Sequence, residues 1–153
     1  LYAERYGIEV VHTRGFAFVG PGLPMNGHFA IGNFIRDALY AERIVLNSSG
    51  LALRSYLYGA DLAVWLLTLL ARGAAGGVYN VGSDQAISIA DLARRVCSVL
   101  SPGKLVDIPN DSGEGIRSRY VPDIRLAKDL GLGVWTPLDL ALKQTASWYL
   151  SAS

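Results

Sequence analysis

The sequence predicts a mixed α/β fold. Short β-branched runs, such as residues 8–12 (IEVVH) and 78–81 (VYNV), alternate with longer segments whose apolar residues recur at helical spacing. Four segments are long enough for helices and four runs are short enough for strands, and no repeat or low-complexity segment interrupts them. This alternation is typical of α/β or α+β domains.

The composition is that of one globular domain. The chain has 153 residues, 51% of them hydrophobic, and a formal net charge of +1. This length supports one apolar core, and the balanced charge gives no basic surface for nucleic acid. The single cysteine, Cys97, excludes an internal disulfide framework, and with only two histidines a zinc or other metal site is not expected.

No segment is typical of a signal peptide, and the longest apolar run, residues 62–71, is too short to cross a bilayer. A cytoplasmic enzyme, or a piece of one, is therefore the default expectation. The first residues, LYAERY, are typical of the last turns of a helix that Gly7 ends. We therefore expect a C-terminal fragment of a longer protein, although an ordinary frayed terminus would give the same pattern.

The first third of the chain predicts a strand, a loop and a helix. Residues 8–12 form a buried strand, and residues 13–21 (TRGFAFVGP) leave it as a loop, either a ligand-binding loop or a plain connection. Residues 28–41 then form a helix, in which Gly32 indicates close packing against another backbone or a ligand. The predicted apolar face of this helix consists of Phe29, Phe34, Ile35, Ala38 and Leu39.

The middle of the chain predicts two extended segments before a second helix. Residues 43–46 form a strand, and residues 53–58 are extended again. Asp61 begins an apolar helix that runs to Arg72, and a carboxylate in a first turn is favoured by the helix dipole.

The last part predicts two strands, two long helices and a short one between them. Residues 78–81 and 105–108 are strands, and residues 88–91 (SIAD) begin a helix with a capping box. A short helix follows within residues 122–131. The last helix begins with Thr136 as its N-cap, followed by a proline at its first position.

Arg54 is a candidate for ligand binding. It precedes Tyr56 and Tyr58 on an extended segment whose far end is held by the apolar helix from Asp61. We expect its guanidinium at the mouth of a cleft, where it can bind a phosphate or a carboxylate through two N–H groups. The alternative is a surface arginine paired with a nearby acid.

Two further groups of residues are open to more than one interpretation. Phe29 and Asn33 lie one helical turn apart and could hold a planar ring, or they could be a core aromatic and a surface amide. Arg117 and Arg119 lie in the polar, glycine-containing stretch at residues 110–120, where either could bind an anion or be solvated.

Four segments, in this order, resemble the C-terminal half of the extended short-chain dehydrogenase/reductases, the NAD-dependent nucleotide-sugar epimerases and dehydratases. Residues 14–21 (RGFAFVGP) resemble the family segment R-x-F-N-x-x-G-P, and residues 54–63 (RSYLYGADLA) resemble R-D-Y-[IV]-H-V-x-D-[LV]-A. Residues 79–83 (YNVGS) are similar to Y-N-[LIV]-G, and residues 120–132 resemble the closing helices. The resemblance covers nearly the whole chain.

The resemblance implies the last strands of a Rossmann-type parallel sheet together with a small C-terminal substrate-binding domain. Residues 1–22 would be the tail of the dinucleotide-binding domain, and residues 23–153 mainly the nucleotide-sugar-binding domain. In the family, Arg54 would bind the nucleotide diphosphate, and backbone at Gly15 and Phe16 would lie against the nicotinamide end of NAD.

The resemblance also implies roles for residues on the helices. Phe29 and Ala30 would begin the helix that receives the base and the sugar, and Tyr58 would lie beside the cleft. Asp61 matches the acid that opens the core helix, which is a structural role more than a catalytic one.

Two departures from the family pattern concern the substrate. Ala17 stands where the family usually has an asparagine that contacts the sugar diphosphate, so this contact would be lost or move to Asn33 or His28. The family's R-x-G-D segment is not cleanly present. Residues 113–117 (GEGIR) are the nearest stretch, which implies Arg117 as a second diphosphate ligand.

The family's glycine-rich NAD loop and its Tyr-x-x-x-Lys pair are absent from these 153 residues. The resemblance therefore implies a chain that binds a UDP-, dTDP- or GDP-sugar but neither holds NAD firmly nor catalyses by itself, with a homodimer as a possible assembly. A non-catalytic binding or regulatory member of the same fold is the second hypothesis. An unrelated α/β module is the third.

Overall fold

The chain folds into helices packed over short, mainly parallel strands. The computed structural model describes residues 2–108 and 118–151. Within these ranges no helix combines the length and the apolar character needed to cross a membrane. In chain order the elements are α1 (Tyr2–Tyr6), β1 (His12–Gly15), β2 (Phe18–Val19), α2 (Ala30–Tyr40), β3 (Arg43–Val45), β4 (Leu53–Arg54), β5 (Leu57–Tyr58), α3 (Gly59–Arg72), β6 (Val78–Val81), β7 (Ile87–Ser88), α4 (Ile89–Leu100), β8 (Leu105–Asp107), β9 (Arg119–Tyr120), α5 (Arg125–Lys128) and α6 (Leu138–Ser151).

Most strand pairs are parallel. β1 pairs with β6, with His12 opposite Val78, and β2 and β3 pair in the same sense with β5 and β8. β4 lies between β7, which is antiparallel to it, and β9, which is parallel. Parallel neighbours need long crossover connections, and α2, α3 and α4 provide them. The predicted α/β class, with strands of a Rossmann-type parallel sheet, is confirmed. The predicted division at residue 22 stays a prediction.

The first apolar core lies between α2, α4 and α6. Two hydrogen bonds from Arg95 on α4 to Asp139 on α6, of 2.6 and 3.1 Å, join two of these helices at their solvent side. The fully or nearly buried residues of this core are Val19, Ile31, Phe34, Ile35, Ala38, Ile44, Leu46, Ile89, Leu92, Ala93, Val96, Cys97, Ala141, Leu142 and Ala146.

The second apolar core lies beneath α3. Trp65, which is fully buried, donates its indole N–H to the carbonyl oxygen of Gly133 over 2.8 Å. This bond ties α3 to the segment that precedes α6. The other buried members are Leu57, Leu69, Tyr79, Val81, Ile124, Ala127 and Leu132.

The first predicted strand is wrong in position and in burial. β1 spans His12–Gly15 instead of residues 8–12, and all four of its residues are exposed, as is Ile8 at 51%. The predicted loop at residues 13–21 therefore contains most of β1 and all of β2. Among the described residues β1 pairs only with β6, which leaves its other backbone edge open. Its side chains point to the two faces of this strand pair, and the described elements leave both faces exposed there.

The first long helix begins later than predicted, which removes one residue from its apolar face. Phe29 is the N-cap of α2, with extended φ and ψ of −96° and 115°, and it is 57% exposed. An extended residue does not follow the helical stripe, so Phe29 does not enter the core. The prediction for Gly32 is confirmed, because a Cβ there would lie 2.3 Å from the carbonyl oxygen of Pro24.

Candidate functional site

A cavity of about 760 Å³ opens beside β4 and β9, near the start of α2. Two arginines, Arg54 and Arg119, and one histidine, His28, contribute to its wall, and none of the described lining residues is an aspartate or a glutamate. The chain as a whole carries a net charge of only +1. The cavity, here called the cleft, is therefore a place where positive charge is concentrated.

Arg54 is held at the cleft by hydrogen bonds to backbone and to a hydroxyl. Its Nη1 donates to the carbonyl oxygens of Leu53 (2.8 Å) and Ser118 (3.3 Å) and to the hydroxyl of Ser118 (3.2 Å). Within the described ranges no carboxylate forms an ion pair with Arg54. As far as the described residues go, the guanidinium is thus positioned but not neutralised, so its Nε and Nη2 donors can bind an anion. Its placement agrees with the prediction, and its role as a ligand stays a prediction.

Tyr56 lines the same cleft two residues after Arg54. Burial raises the pKa of Tyr56 to about 12, and the neighbouring Arg54 charge opposes part of this rise. The hydroxyl is protonated at neutral pH, as that of an ordinary tyrosine is, and the raised pKa extends this to alkaline pH. It can donate a hydrogen bond to a ligand oxygen in the cleft.

The N-terminus of α2 opens onto the cleft. Phe29, its N-cap, makes no side-chain hydrogen bond to the first turn, and Ala30, the first helical residue, lines the cavity. The first N–H groups of a helix lack intrahelical partners and lie at the positive end of its dipole. In the cleft, these groups add to the attraction that the arginines exert on an anion.

An aromatic pair forms one wall of the cleft. The rings of Phe16 and Tyr120 stack with their centroids 4.6 Å apart. The Tyr120 hydroxyl also donates a long hydrogen bond, of 3.5 Å, to the carbonyl oxygen of Gly15. These contacts join the end of β1 and the residue after it to β9. Gly15 and Phe16, the two residues predicted to lie near NAD, are therefore next to β9, the strand that pairs with β4.

The structure brings most of the predicted site residues together. The predicted residues that line the cleft are Phe16, Ala17, Phe29, Ala30 and Arg54. Gly15 touches this wall through Tyr120, whereas Tyr58 lies outside the cleft, as the N-cap of α3 packed against the first core. Arg117 lies outside the described residues.

Asn33 belongs to a second, smaller hollow. This hollow has a volume of about 290 Å³ and shares His28, Ala30 and Ser48 with the cleft. The side-chain amide of Asn33 donates to the carbonyl oxygen of Gly27 over 3.2 Å. Of the two residues suggested to replace the asparagine missing at Ala17, His28 therefore lines the cleft and Asn33 does not.

Comparison with known proteins decides the family. The model of the NAD dependent epimerase/dehydratase family matches residues 1–82, more than half of this chain. The chain belongs to this family. The resemblance inferred from the four sequence segments is confirmed.

Relatives of this epimerase/dehydratase chain are longer than it is. A trifunctional UDP-glucose 4,6-dehydratase/UDP-4-keto-6-deoxy-D-glucose 3,5-epimerase/UDP-4-keto-L-rhamnose-reductase of Arabidopsis thaliana is 31% identical over 150 residues, covering 97% of this chain and 22% of that protein. The solved UDP-glucose 4-epimerase of Thermotoga maritima with UDP-glucose has a TM-score of 0.81 at 21% identity, over 99% of this chain and 49% of that one. The enzyme WbmF of Bordetella bronchiseptica, in complex with NAD+ and UDP, has a TM-score of 0.79 at 25% identity, over 98% and 48%. The chain thus spans about half the length of these two solved structures.

Asp61 has a structural place in this family member. It is 5% exposed, and its carboxylate accepts hydrogen bonds from the N–H groups of Trp135 (3.1 Å) and Thr136 (2.9 Å) and from the Thr136 hydroxyl (2.8 Å). The prediction of Thr136 as the N-cap of the last helix is therefore wrong. Its hydroxyl donates to Asp61 instead of accepting from the helix, and α6 begins at Leu138.

Sequence reasoning missed the contribution of β9 to the cleft. Ser118 and Tyr120 were not singled out, and Arg119 was only one of two alternatives in its stretch. A strand of two residues has no periodicity to detect. Its pairing with β4 joins Arg54 to residues 64 positions later in the chain. The pair of arginines in one polar stretch was the available signal.

Proposed function

We propose that this chain is the nucleotide-sugar-binding portion of an NAD-dependent epimerase or dehydratase, and that the cleft binds the diphosphate of an activated sugar. One observation carries the proposal. The cleft is lined by Arg54 and Arg119, with no carboxylate among its described lining residues. Two guanidinium groups with no acid beside them in the described part of the chain favour a ligand with several negative oxygens.

The groups of the cleft suit a phosphate in geometry as well as in charge. Arg54 is fixed through Nη1, which leaves Nε and Nη2 as a two-donor fork. The Tyr56 hydroxyl and the first N–H groups of α2 supply further donors at neutral pH. Together they would bind and orient the diphosphate.

The second hollow supports a place for the base. It shares wall residues with the cleft, among them His28, Ala30 and Ser48, and therefore lies next to it. A ligand with its diphosphate at Arg54 would place its base in this neighbouring hollow. Asn33 lies in this hollow, where its amide would meet a planar ring, which is one of the two interpretations that the sequence left open. The UDP in complex with WbmF and the UDP-sugars in the name of the plant relative support a nucleoside diphosphate as the ligand class.

NAD is proposed as the cofactor of the complete protein, on the description of the family and the NAD+ bound to WbmF. The described residues fit at most its nicotinamide end, where Phe16 is backed by Tyr120 at the cleft wall. These 153 residues contain neither the family's glycine-rich loop nor its Tyr-x-x-x-Lys pair. No chemical step through the cofactor is therefore derived from this chain.

Calorimetric titration of the 153-residue chain with UDP, dTDP and GDP tests the proposal. We expect at least one of them to bind, and Arg54→Ala to weaken binding about tenfold or more, because a charged hydrogen-bond donor is lost. Arg43→Ala is the matched control, since Arg43 is exposed on β3 and does not line the cleft. Equal affinity of the Arg54→Ala variant and the parent chain for every nucleotide would contradict the proposal.

A further inference from the structure

The segment between β2 and α2 is attached to two helices at alternate residues. This segment, residues 21–29, is here called the strap. Three of its carbonyl oxygens accept hydrogen bonds from side chains, namely those of Leu23, Met25 and Gly27. Tyr149 on α6 is the donor to the first, and Arg36 Nη1 (3.2 Å) and the Asn33 amide (3.2 Å) on α2 are the donors to the other two. The strap is therefore fastened along most of its length.

Packing holds the strap as well. The side chains of Leu23 and Met25 pack against the first core. A Cβ at Gly32, in the first turn of α2, would lie 2.3 Å from the carbonyl oxygen of Pro24. The strap therefore lies directly against the backbone of α2, and a movement of its middle residues changes how the chain enters this helix.

The strap ends at the cleft. Its last two residues, His28 and Phe29, line the cleft together with Ala30, the first residue of α2. Phe29 is exposed, and as the N-cap it sets the direction of the first N–H groups of the helix. The position of the strap thus determines where one wall of the cleft lies.

Tyr149 differs from the other two donors because it belongs neither to α2 nor to the cleft. Arg36 and Asn33 lie on α2 and line the second hollow. Tyr149 lies 126 positions after Leu23, on a helix that packs into the first core. It is not among the described lining residues of the cleft or of the second hollow. Its hydroxyl can therefore act on a ligand in the cleft through the strap and not by direct contact.

We propose that Tyr149 is a positioning residue for the cleft, and that its hydrogen bond to Leu23 keeps Phe29 and the N-terminus of α2 where they meet the ligand. This inference rests on the proposed function, since it takes a nucleoside diphosphate as the ligand. When the strap is released, this wall of the cleft moves away from the ligand. The apparent affinity then falls in proportion to the fraction of molecules whose strap is in place.

Calorimetric titration of the parent chain and of Tyr149→Phe tests the inference, with whichever of UDP, dTDP and GDP binds the parent chain most tightly. The substitution keeps the ring and removes one hydrogen bond, which shifts the opening equilibrium of the strap about fivefold. We therefore expect the affinity to fall by about two- to fivefold. Tyr40→Phe is the matched control and is expected to bind as the parent chain does. Tyr40, at the end of α2, is exposed and is not among the described lining residues of either hollow.

Amide hydrogen exchange reports on the strap directly. In Tyr149→Phe we expect exchange within residues 22–28 to be up to about fivefold faster than in the parent chain, because the strap opens more often. Exchange in α3, which lies over the second core, is expected to be unchanged. In the parent chain, saturation with the nucleotide is expected to slow exchange in the strap.

A double-mutant cycle separates positioning from a general loss of stability. Tyr149→Phe acts on the wall that contains Phe29, so we expect it to weaken binding by a smaller factor in a Phe29→Ala background than in the parent chain. Arg54 is held by Ser118 on the far side of the cleft. In an Arg54→Ala background we therefore expect the full factor.

The outcomes separate this inference from the proposed function. A loss of affinity below about twofold on Tyr149→Phe, or a larger loss without faster exchange in the strap, would overturn the inference. So would an equal factor in the Phe29→Ala and Arg54→Ala backgrounds. In each of these cases the proposed function stands if Arg54→Ala weakens binding. If the parent chain binds none of the three nucleotides, the proposed function fails and the inference fails with it.

Discussion

The helices α3 and α4 have similar lengths, yet they meet solvent in different ways. The outer face of α4 carries Asp91, Arg94 and Arg95, and its inner face is apolar. On α3 the charges lie only near the ends, at Asp61 and Arg72, and both faces between them are apolar. A charged outer face is typical of a helix surface in contact with water, whereas an apolar outer face is typical of an interface.

The outer face of α3 departs from the pattern of an amphipathic helix, because large apolar side chains on it are exposed. Trp65 and Leu69 are buried in the second core, but Val64, Leu67 and Leu70 are exposed, Leu70 at 80%. In this chain α3 is therefore stabilised through one face and through its N-terminal carboxylate. The comparison teaches that the apolar content of a segment alone does not predict how deeply it is buried, because α3 is more hydrophobic than α4 and yet more exposed.

The largest effect is expected at the N-terminus of α3. Asp61→Ala removes a buried acceptor of three hydrogen bonds and leaves the N–H groups of Trp135 and Thr136 unpaired. We expect a loss of about 4 kcal/mol in the free energy of unfolding, measured by urea denaturation. A loss below about 1 kcal/mol would mean that α3 does not depend on this carboxylate.

Neighbouring leucines on α3 sharpen the comparison of its two faces. Leu69→Ala opens a cavity at a residue that is 1% exposed, so we expect a loss of about 3 kcal/mol. Leu70→Ala, one residue later, removes side-chain atoms already in water and is expected to cost under about 0.5 kcal/mol. Urea denaturation of both variants measures the difference. Similar losses for the two variants would show that the outer face is buried in solution.

The segments that lead into α3 and α4 each contain a serine, and we expect alanine substitutions of the two serines to change the stability of the protein in opposite directions. The Ser88 hydroxyl accepts a hydrogen bond from the Asp91 N–H (3.0 Å) as the cap of α4, and we expect Ser88→Ala to lower the free energy of unfolding by about 1 kcal/mol.

The Ser55 hydroxyl is buried and has no hydrogen-bond partner among the described residues. Removing an unpaired buried hydroxyl stabilises, so we expect Ser55→Ala to gain about 1 kcal/mol. A loss on Ser55→Ala in thermal or urea denaturation would show that the hydroxyl finds a partner in solution.

Elements with long, local patterns were predictable from the sequence. The capping box at Ser88 predicts the first residue of α4 correctly, because the cap and its partner lie only three positions apart in the sequence. Val78–Val81 was predicted with its observed bounds, since a β-branched and aromatic run followed a glycine-rich stop. The position of Arg54 at a cleft also agreed with the prediction, which the order of the surrounding segments supported.

The features that failed depend on partners distant in the sequence. Asp61 accepts hydrogen bonds from residues 74 and 75 positions later in the chain, and a local sequence pattern cannot reveal such partners. For this reason Thr136 is predicted as the N-cap of the last helix and not as a partner of Asp61. The first strand was predicted as buried because residues 8–12 are rich in β-branched side chains, but burial depends on which neighbours cover a strand. The second cationic residue of the cleft, Arg119, required knowledge of which short strand pairs with β4.

The last prediction concerns the titration of a tyrosine in the segment before α3. The segment into α3 carries Tyr56, whose pKa burial raises to about 12, whereas β7, which leads into α4, has no titratable side chain. Because the unfolded tyrosine loses its proton near pH 10 and the folded one near 12, the stabilisation is complete below pH 10 and is lost as the pH rises toward 12. Relative to Tyr56→Phe, the parent chain should lose about 1 kcal/mol between pH 9 and 11 in urea denaturation. Tyr149, whose pKa burial also raises, is present in both proteins and cancels. Parallel pH profiles for the two proteins would show that the Tyr56 hydroxyl is in contact with water.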